Sequence, residues 1–196
     1  LSQTNSETLT LSGGSTVRRS DGALGFTPSF GTPVNVTYTA GLTTGNELSP
    51  SKAGTVTVDA TGATVMMATG VDPTLNGALT VTSGTLDLNG NDVTIEEDLT
   101  NNGTLTIGTA TVIFNGSTTQ TVSGTVGFHD VAVNGGPVDF GGSSATIGNR
   151  LTLNTGGGLT GTGPAYADGT LLRYAAGTAI DRGPEWSSTS GAGYPE

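Results

Sequence analysis

The residues able to do acid–base chemistry are few and poorly grouped. The chain has one histidine, His129, standing beside Asp130 in "GFHDVAV". A metal site built on it needs several carboxylate partners, and a serine triad needs a nucleophile on a strained elbow; no G-x-S-x-G occurs. Alternation in that segment places His129 on the outward side of a strand. The acids of "DLNGNDVTIEED", residues 87–98, come nearer to a site. Asp87, Asn89 and Asn91 take the first, third and fifth positions of a calcium-binding EF-hand loop and Asp98 the twelfth. The sixth position, however, is Asp92 where the sharp turn needs glycine, the twelfth lacks the bidentate Glu, and Val93 and Ile95 make the second half a strand. Gly90-x-Asp92 matches a single step of the glycine-rich calcium β-roll, a fold that shares each ion between successive repeats. The residues therefore favour an Asn-Gly corner and a strand with a solvated acidic end at Glu96, Glu97 and Asp98, where calcium binding is adventitious. No cofactor and no resident metal are expected.

Three further chemistries deserve weighing. A polysaccharide-cleaving enzyme would draw on Asp87, Glu97 and Asp98, with Arg150, Arg173 and Arg182 as the downstream cations, but no sequence spacing gathers these groups. Threonine pairs such as Thr80-Val81-Thr82 and Thr104-Leu105-Thr106 are of the kind that binds an ice lattice when ranks persist over several turns. The next stretch loses the pair, and the strand preference of a β-branched residue suffices to explain them. Tyr166, Tyr174, Trp186 and Tyr194 concentrate all but one of the Tyr and Trp residues in the last third. Their rings suit stacking on a glycan, packing on a neighbouring subunit, or closing the end of the fold. They are the candidate contact residues.

The elements that must position these groups are short. In "ALTVTSGTLDLNGNDVTIEEDLTNNGTLTIG" and the residues just after it, apolar residues come as pairs around one polar residue: Leu79/Val81, Leu86/Leu88, Val93/Ile95, then Leu105/Ile107 and Val112/Phe114. Two inward residues flanking an outward one describe a strand of three to five residues. Ser83-Gly84, Asn89-Gly90-Asn91 and Asn101-Asn102-Gly103 tolerate the left-handed backbone of tight corners. With three strands per turn, Leu79 falls over Leu99, Leu86 over Leu105 and Val93 over Val112. The spacing thus predicts an all-β, right-handed parallel β-helix, a three-sided solenoid of about 19–20 residues per coil. A meander of hairpins fits less well, because hairpin strands are usually longer.

Composition agrees. Leu, Ile, Val and Phe form only about a fifth of the chain, near the limit for a packed core, yet strict alternation is a pattern disorder does not maintain. The 196 residues suit one domain, with 33 glycines and no cysteine, so disulfide staples and thiolate metal sites are excluded. A net charge of −10, from 16 acidic and 6 basic residues, repels a nucleic-acid backbone, and no apolar run reaches the length of a membrane span. Residues 1–53 are expected to hold irregular N-terminal strands and loops or a cap, with prolines at 28, 33 and 50. Residues 54–180 are expected to form the coils, and 181–196 a C-terminal loop or linker.

The segments "GTPVNVTYTAGLTTGNELSP", "LTVTSGTLDLNGNDVTI" and "RGPEWSSTSGAGYP" resemble parts of large secreted surface proteins of the Bacteroidota, cargo of the type IX secretion system built from β-solenoid repeats. The resemblance spans roughly residues 31–196. The sorting domain that ends such proteins is not expected within these residues. It implies an extracellular or cell-surface location and a structural or adhesive role, and it transfers no catalytic residue. The expectation is a non-enzymatic stalk, adhesin or self-assembling filament subunit that associates with identical subunits or neighbouring repeats. A glycan-binding adhesive module is the alternative, and a polysaccharide-cleaving β-helix a more distant one.

Overall fold

In the computed structural model, residues 10–22, 29–30, 33–48, 53–177 and 183–186 are described. The strands run in chain order: β1 (Thr10–Leu11), β2 (Thr16–Arg19), β3 (Ser29–Phe30), β4 (Val34–Tyr38), β5 (Leu42–Thr43), β6 (Ala53–Met66), β7 (Thr74–Leu75), β8 (Leu79–Asp87) and β9 (Val93–Ile95). They continue as β10 (Leu99–Asn101), β11 (Thr104–Thr106), β12 (Thr111–Phe114), β13 (Gln120–Val133), β14 (Pro137–Leu153), β15 (Gly158–Thr160), β16 (Ala165–Tyr166) and β17 (Leu171–Tyr174). The one helical element among the described residues is a 3-10 turn, Asn46–Leu48.

Every strand pairing is parallel, and the strands wind into a β-solenoid of about 7 turns. The register is the one the spacing requires: Leu79 pairs with Leu99, Leu86 with Leu105 and Val93 with Val112. The first face stacks β2, β4, the middle of β6, the start of β8, β10 and the start of β13. The second carries β5, the ends of β6 and β8, and β11. The third carries β7, β9, β12, the ends of β13 and β14, and β17. Coils reach back to Thr16, since β2 and β4 already pair in parallel with the main sheet.

Both apolar residues of each pair point to the axis. Leu75, Ile95, Phe114, Val133 and Leu153 form one such file on the third face, each 0% exposed. Burying a side chain of this size contributes about 1.5–3 kcal/mol. Where coils widen, phenylalanines fill the axis: Phe114, Phe128 and Phe140 meet edge to face with centroids 6.1–6.3 Å apart. They come from three successive coils, so the cluster ties rung to rung.

Corners satisfy the remaining backbone groups. Asn89 (φ 53°) and Gly90 (φ 78°) both adopt the left-handed values that the Asn-Gly pair suggested. Asn91 is buried, accepting from the Val71 N–H at 3.0 Å and donating to the Leu88 carbonyl at 2.7 Å. Gln120, 1% exposed, accepts from the Gly116 N–H at 2.7 Å and donates to the Ile95 carbonyl at 3.0 Å, closing the loop that precedes β13. Buried polar side chains at these corners thus replace hydrogen bonds that water would make.

Candidate interface at the carboxy-terminal end

The last described coil has one short strand on each face, β15, β16 and β17, and among the described residues each pairs with β14 alone. Tyr166 ends β16, inward and 3% exposed, in register with Ile147. Burial, with the Glu185 carboxylate and Tyr174 nearby, raises its hydroxyl pKa well above the ordinary tyrosine value. Tyr174 ends β17 in register with Leu153 and is 38% exposed. Its hydroxyl donates to Glu185 Oε1 at 2.6 Å and accepts from Trp186 Nε1 at 2.7 Å. The Gly183 N–H donates to the same carboxylate oxygen at 2.8 Å. Three of the four aromatic candidates are therefore gathered at one end, around a carboxylate that sequence reading passed over. Tyr194 lies outside the described residues. The signal for Glu185 was present: its Gly-x-Glu context repeats that of Glu47 near the other end.

Of the acids considered for catalysis, Asp87 lies on the second face and Asp98 at the corner before the first. Asp87 stands on the second face and binds its own corner through the Asn89 N–H at 2.8 Å. Glu96 accepts from Asn76 Nδ2 at 3.0 Å, and Asp98 from the Thr121 N–H at 2.7 Å, both at the corner before the first face. Asp92 accepts from the Thr111 N–H at 2.7 Å, so the corner acids serve as backbone acceptors between coils. Among the described residues no group of three His, Asp or Glu side chains is placed to hold a metal ion.

Coil stacking does join Asp130 to Arg150, one rung apart in register, with Arg150 Nη2 at 2.8 Å from Asp130 Oδ2. Asn149 Nδ2 adds a bond at 2.6 Å, while His129 Nδ1 lies 3.6 Å from Asp130 Oδ1. Threonine files also extend further than the T-x-T pairs implied: Thr37, Thr57, Thr80 and Thr100 stack outward on the first face, and Thr64, Thr85 and Thr104 on the second. The first file is one residue wide and half-buried.

Concave regions on the surface include two at coil corners. A trough of about 540 Å³ lies at the corner between first and second faces, lined by Thr64, Thr82, Ser83, Thr85, Asn102 and Thr104 with intervening glycines and Ala63. It holds no ionisable side chain, so it offers hydroxyls and amides but no acid or base. A smaller one, about 380 Å³, is lined by Asn76, Glu96, Glu97, Asn115, Gly116, Ser117 and Thr118, with no cation. Comparison with protein-family models, with curated proteins and with solved structures finds no match.

Proposed function

We propose that this chain is a non-enzymatic structural module of an extracellular or cell-surface assembly, a stalk or filament segment that associates with copies of itself or with neighbouring solenoid repeats. The observation that carries the reading is the open last coil: β15, β16 and β17 each have one neighbouring strand among the described residues. Such edges present unpaired backbone groups and invite a further strand. Support comes also from how the polar residues are spent. The corner acids and amides bind neighbouring coils, and apolar side chains from every coil pack together along the interior. The mechanism is mechanical, a rod held by backbone hydrogen bonds that repeat at every rung.

The test is assembly of the purified chain. Light scattering at rising concentration is expected to report growing particles, and electron micrographs ordered rods or filaments. A strictly monomeric chain at high concentration in both measurements overturns the reading. The exposed Tyr174 ring beside Trp186 favours a second reading, glycan adhesion at the same end. Glycan-array binding that disappears in Trp186→Ala supports it; silence of the native chain on the array removes it.

A further inference from the structure

The trough at the corner between the first and second faces draws its lining from three successive coils. β6 places residues 60–63 where β8 has Gly84 alone, because Asp59 pairs with Ser83 and Thr64 already with Thr85. The added residues bring Gly62 and Ala63 into the lining beside Gly84. A Cβ at Gly84 would collide with the Ala60 carbonyl oxygen, and one at Gly103, in the next coil, with the Gly84 carbonyl oxygen. Close stacking of the coils thus keeps side chains off this part of the corner, and polar residues border it.

Those residues form two files. One is Thr64, Thr85 and Thr104, in register on the second face, where adjacent parallel strands set neighbours about 4.8 Å apart. The other comes from the end of the first face, Thr82 and Asn102, which directly follow the paired Val81 and Asn101. Ser83 is engaged within the protein: its hydroxyl donates to Asp59 Oδ1 at 2.8 Å and lies 2.9 Å from Thr61 Oγ1. The hydroxyls of the four threonines and the Asn102 amide have no hydrogen-bond partner among the described residues. Elsewhere corner amides and acids are bound to neighbouring coils, as Asn91 and Asp92 are. Here they stay free in a concavity of the size that takes a small ligand.

We propose that the trough binds a neutral, linear glycan laid along the coil stack. The inference goes beyond the self-association reading and does not depend on it, since the lining lies on coils inside the stack. Hydroxyl and amide groups both donate and accept, as the hydroxyls of a sugar do. No charged side chain lines the trough, so a charged ligand finds no ion-pair partner there, and a chain of net charge −10 repels an anionic one. An apolar ligand finds Ala63 as its one apolar side chain. A file repeated at the rung spacing suits a ligand that is itself a chain of like units. Because no aromatic ring lines the trough, hydrogen bonds rather than stacking carry the contact, and the site discriminates by hydroxyl pattern.

The test titrates linear hexasaccharides of glucose, mannose and xylose, with hexagalacturonate as the anionic control, into the isotope-labelled chain and follows its NMR spectrum. A neutral probe is expected to move the amide resonances of Gly62, Gly84 and Gly103, while hexagalacturonate moves none of them. Thr82→Val and Asn102→Ala, both at exposed positions, are each expected to weaken that binding about two- to tenfold with the melting temperature unchanged. Trp186→Ala is expected to leave it intact. Silence toward every neutral probe, equal binding of hexagalacturonate, or unchanged affinity in both trough variants overturns the proposal. Shifts confined to the Trp186 indole and lost in Trp186→Ala place the glycan at the carboxy-terminal end and overturn it too. None of these results touches the self-association reading, which stands or falls on assembly.

Discussion

At the scale of single residues, the chain places charge inside only where neighbours hold it. Glu47 collects an arginine, a tyrosine hydroxyl and a backbone N–H within one corner. Removing one partner of a buried pair strands the other in a medium that solvates it poorly. Arg19→Ala is therefore expected to lose about 3–5 kcal/mol in denaturant unfolding, whereas Arg18→Ala, exposed on the same strand, changes stability within about 0.5 kcal/mol. Asp139 illustrates the exposed counterpart. The N–H groups of Thr162 and Gly141 donate to its Oδ1 at 3.1 and 2.7 Å and hold its carboxyl below the usual range. A carboxyl depressed by folding stabilises the fold fully above its unfolded pKa of about 3.9, and that contribution vanishes as pH falls through the lower folded value. In Asp139→Asn the melting temperature is expected to fall less steeply than in the native chain as pH is lowered from about 5 to about 2.

At the scale of elements, corners and axis impose the tightest limits. Gly124 has φ 85°, and a Cβ there would lie 1.9 Å from the Asn101 carbonyl oxygen of the adjacent coil. Gly124→Ala carries the left-handed penalty of about 1–2 kcal/mol and a backbone clash besides, so its loss of stability is expected to exceed that range. In the axis, Phe128 contacts Phe114 and Phe140, which belong to the coils on either side. Phe128→Ala leaves a cavity between three rungs and is expected to cost about 3–5 kcal/mol in the same unfolding measurement. The coil spacing made the Leu79–Leu99 and Leu86–Leu105 stacks readable in advance. The irregular stretches were harder, because Leu99 pairs with Val122 across a longer coil in which Gln120 turns inward to close a loop. A buried glutamine in an alternating segment gives no periodic signal of its own.

At the scale of the whole molecule, stability is divided among like rungs. Each coil contacts chiefly its neighbours, so the fold behaves as a stack of similar units. Leu79 and Leu99 occupy the same station one coil apart, as do Thr80 and Thr100. Deleting residues 80–99 joins Leu79 to Thr100 without a break in register. That shortened chain is expected to keep its far-UV circular dichroism shape and cooperative melting, while deletion of 80–89 alone, half a coil, removes the second-face strand at residues 85–87, leaves the following residues off their stacking stations and abolishes both. The gathering of aromatics at one end became interpretable only at this scale. Tyr166, Tyr174 and Trp186 stood out by type, but Glu185, which accepts from the Tyr174 hydroxyl that in turn accepts from Trp186, became evident once β17 lay on the last rung.

Sequence by itself determined the all-β class, the parallel coil and its spacing, because the period of apolar residues and the position of left-handed corner residues are local properties that any rung repeats. Tertiary structure alone decided which polar groups meet: Arg19 with Glu47, Arg150 with Asp130, and Tyr174 with both Glu185 and Trp186. Those contacts depend on coil lengths that vary from turn to turn, and on how far a side chain reaches across a corner, neither of which leaves a regular mark along the chain.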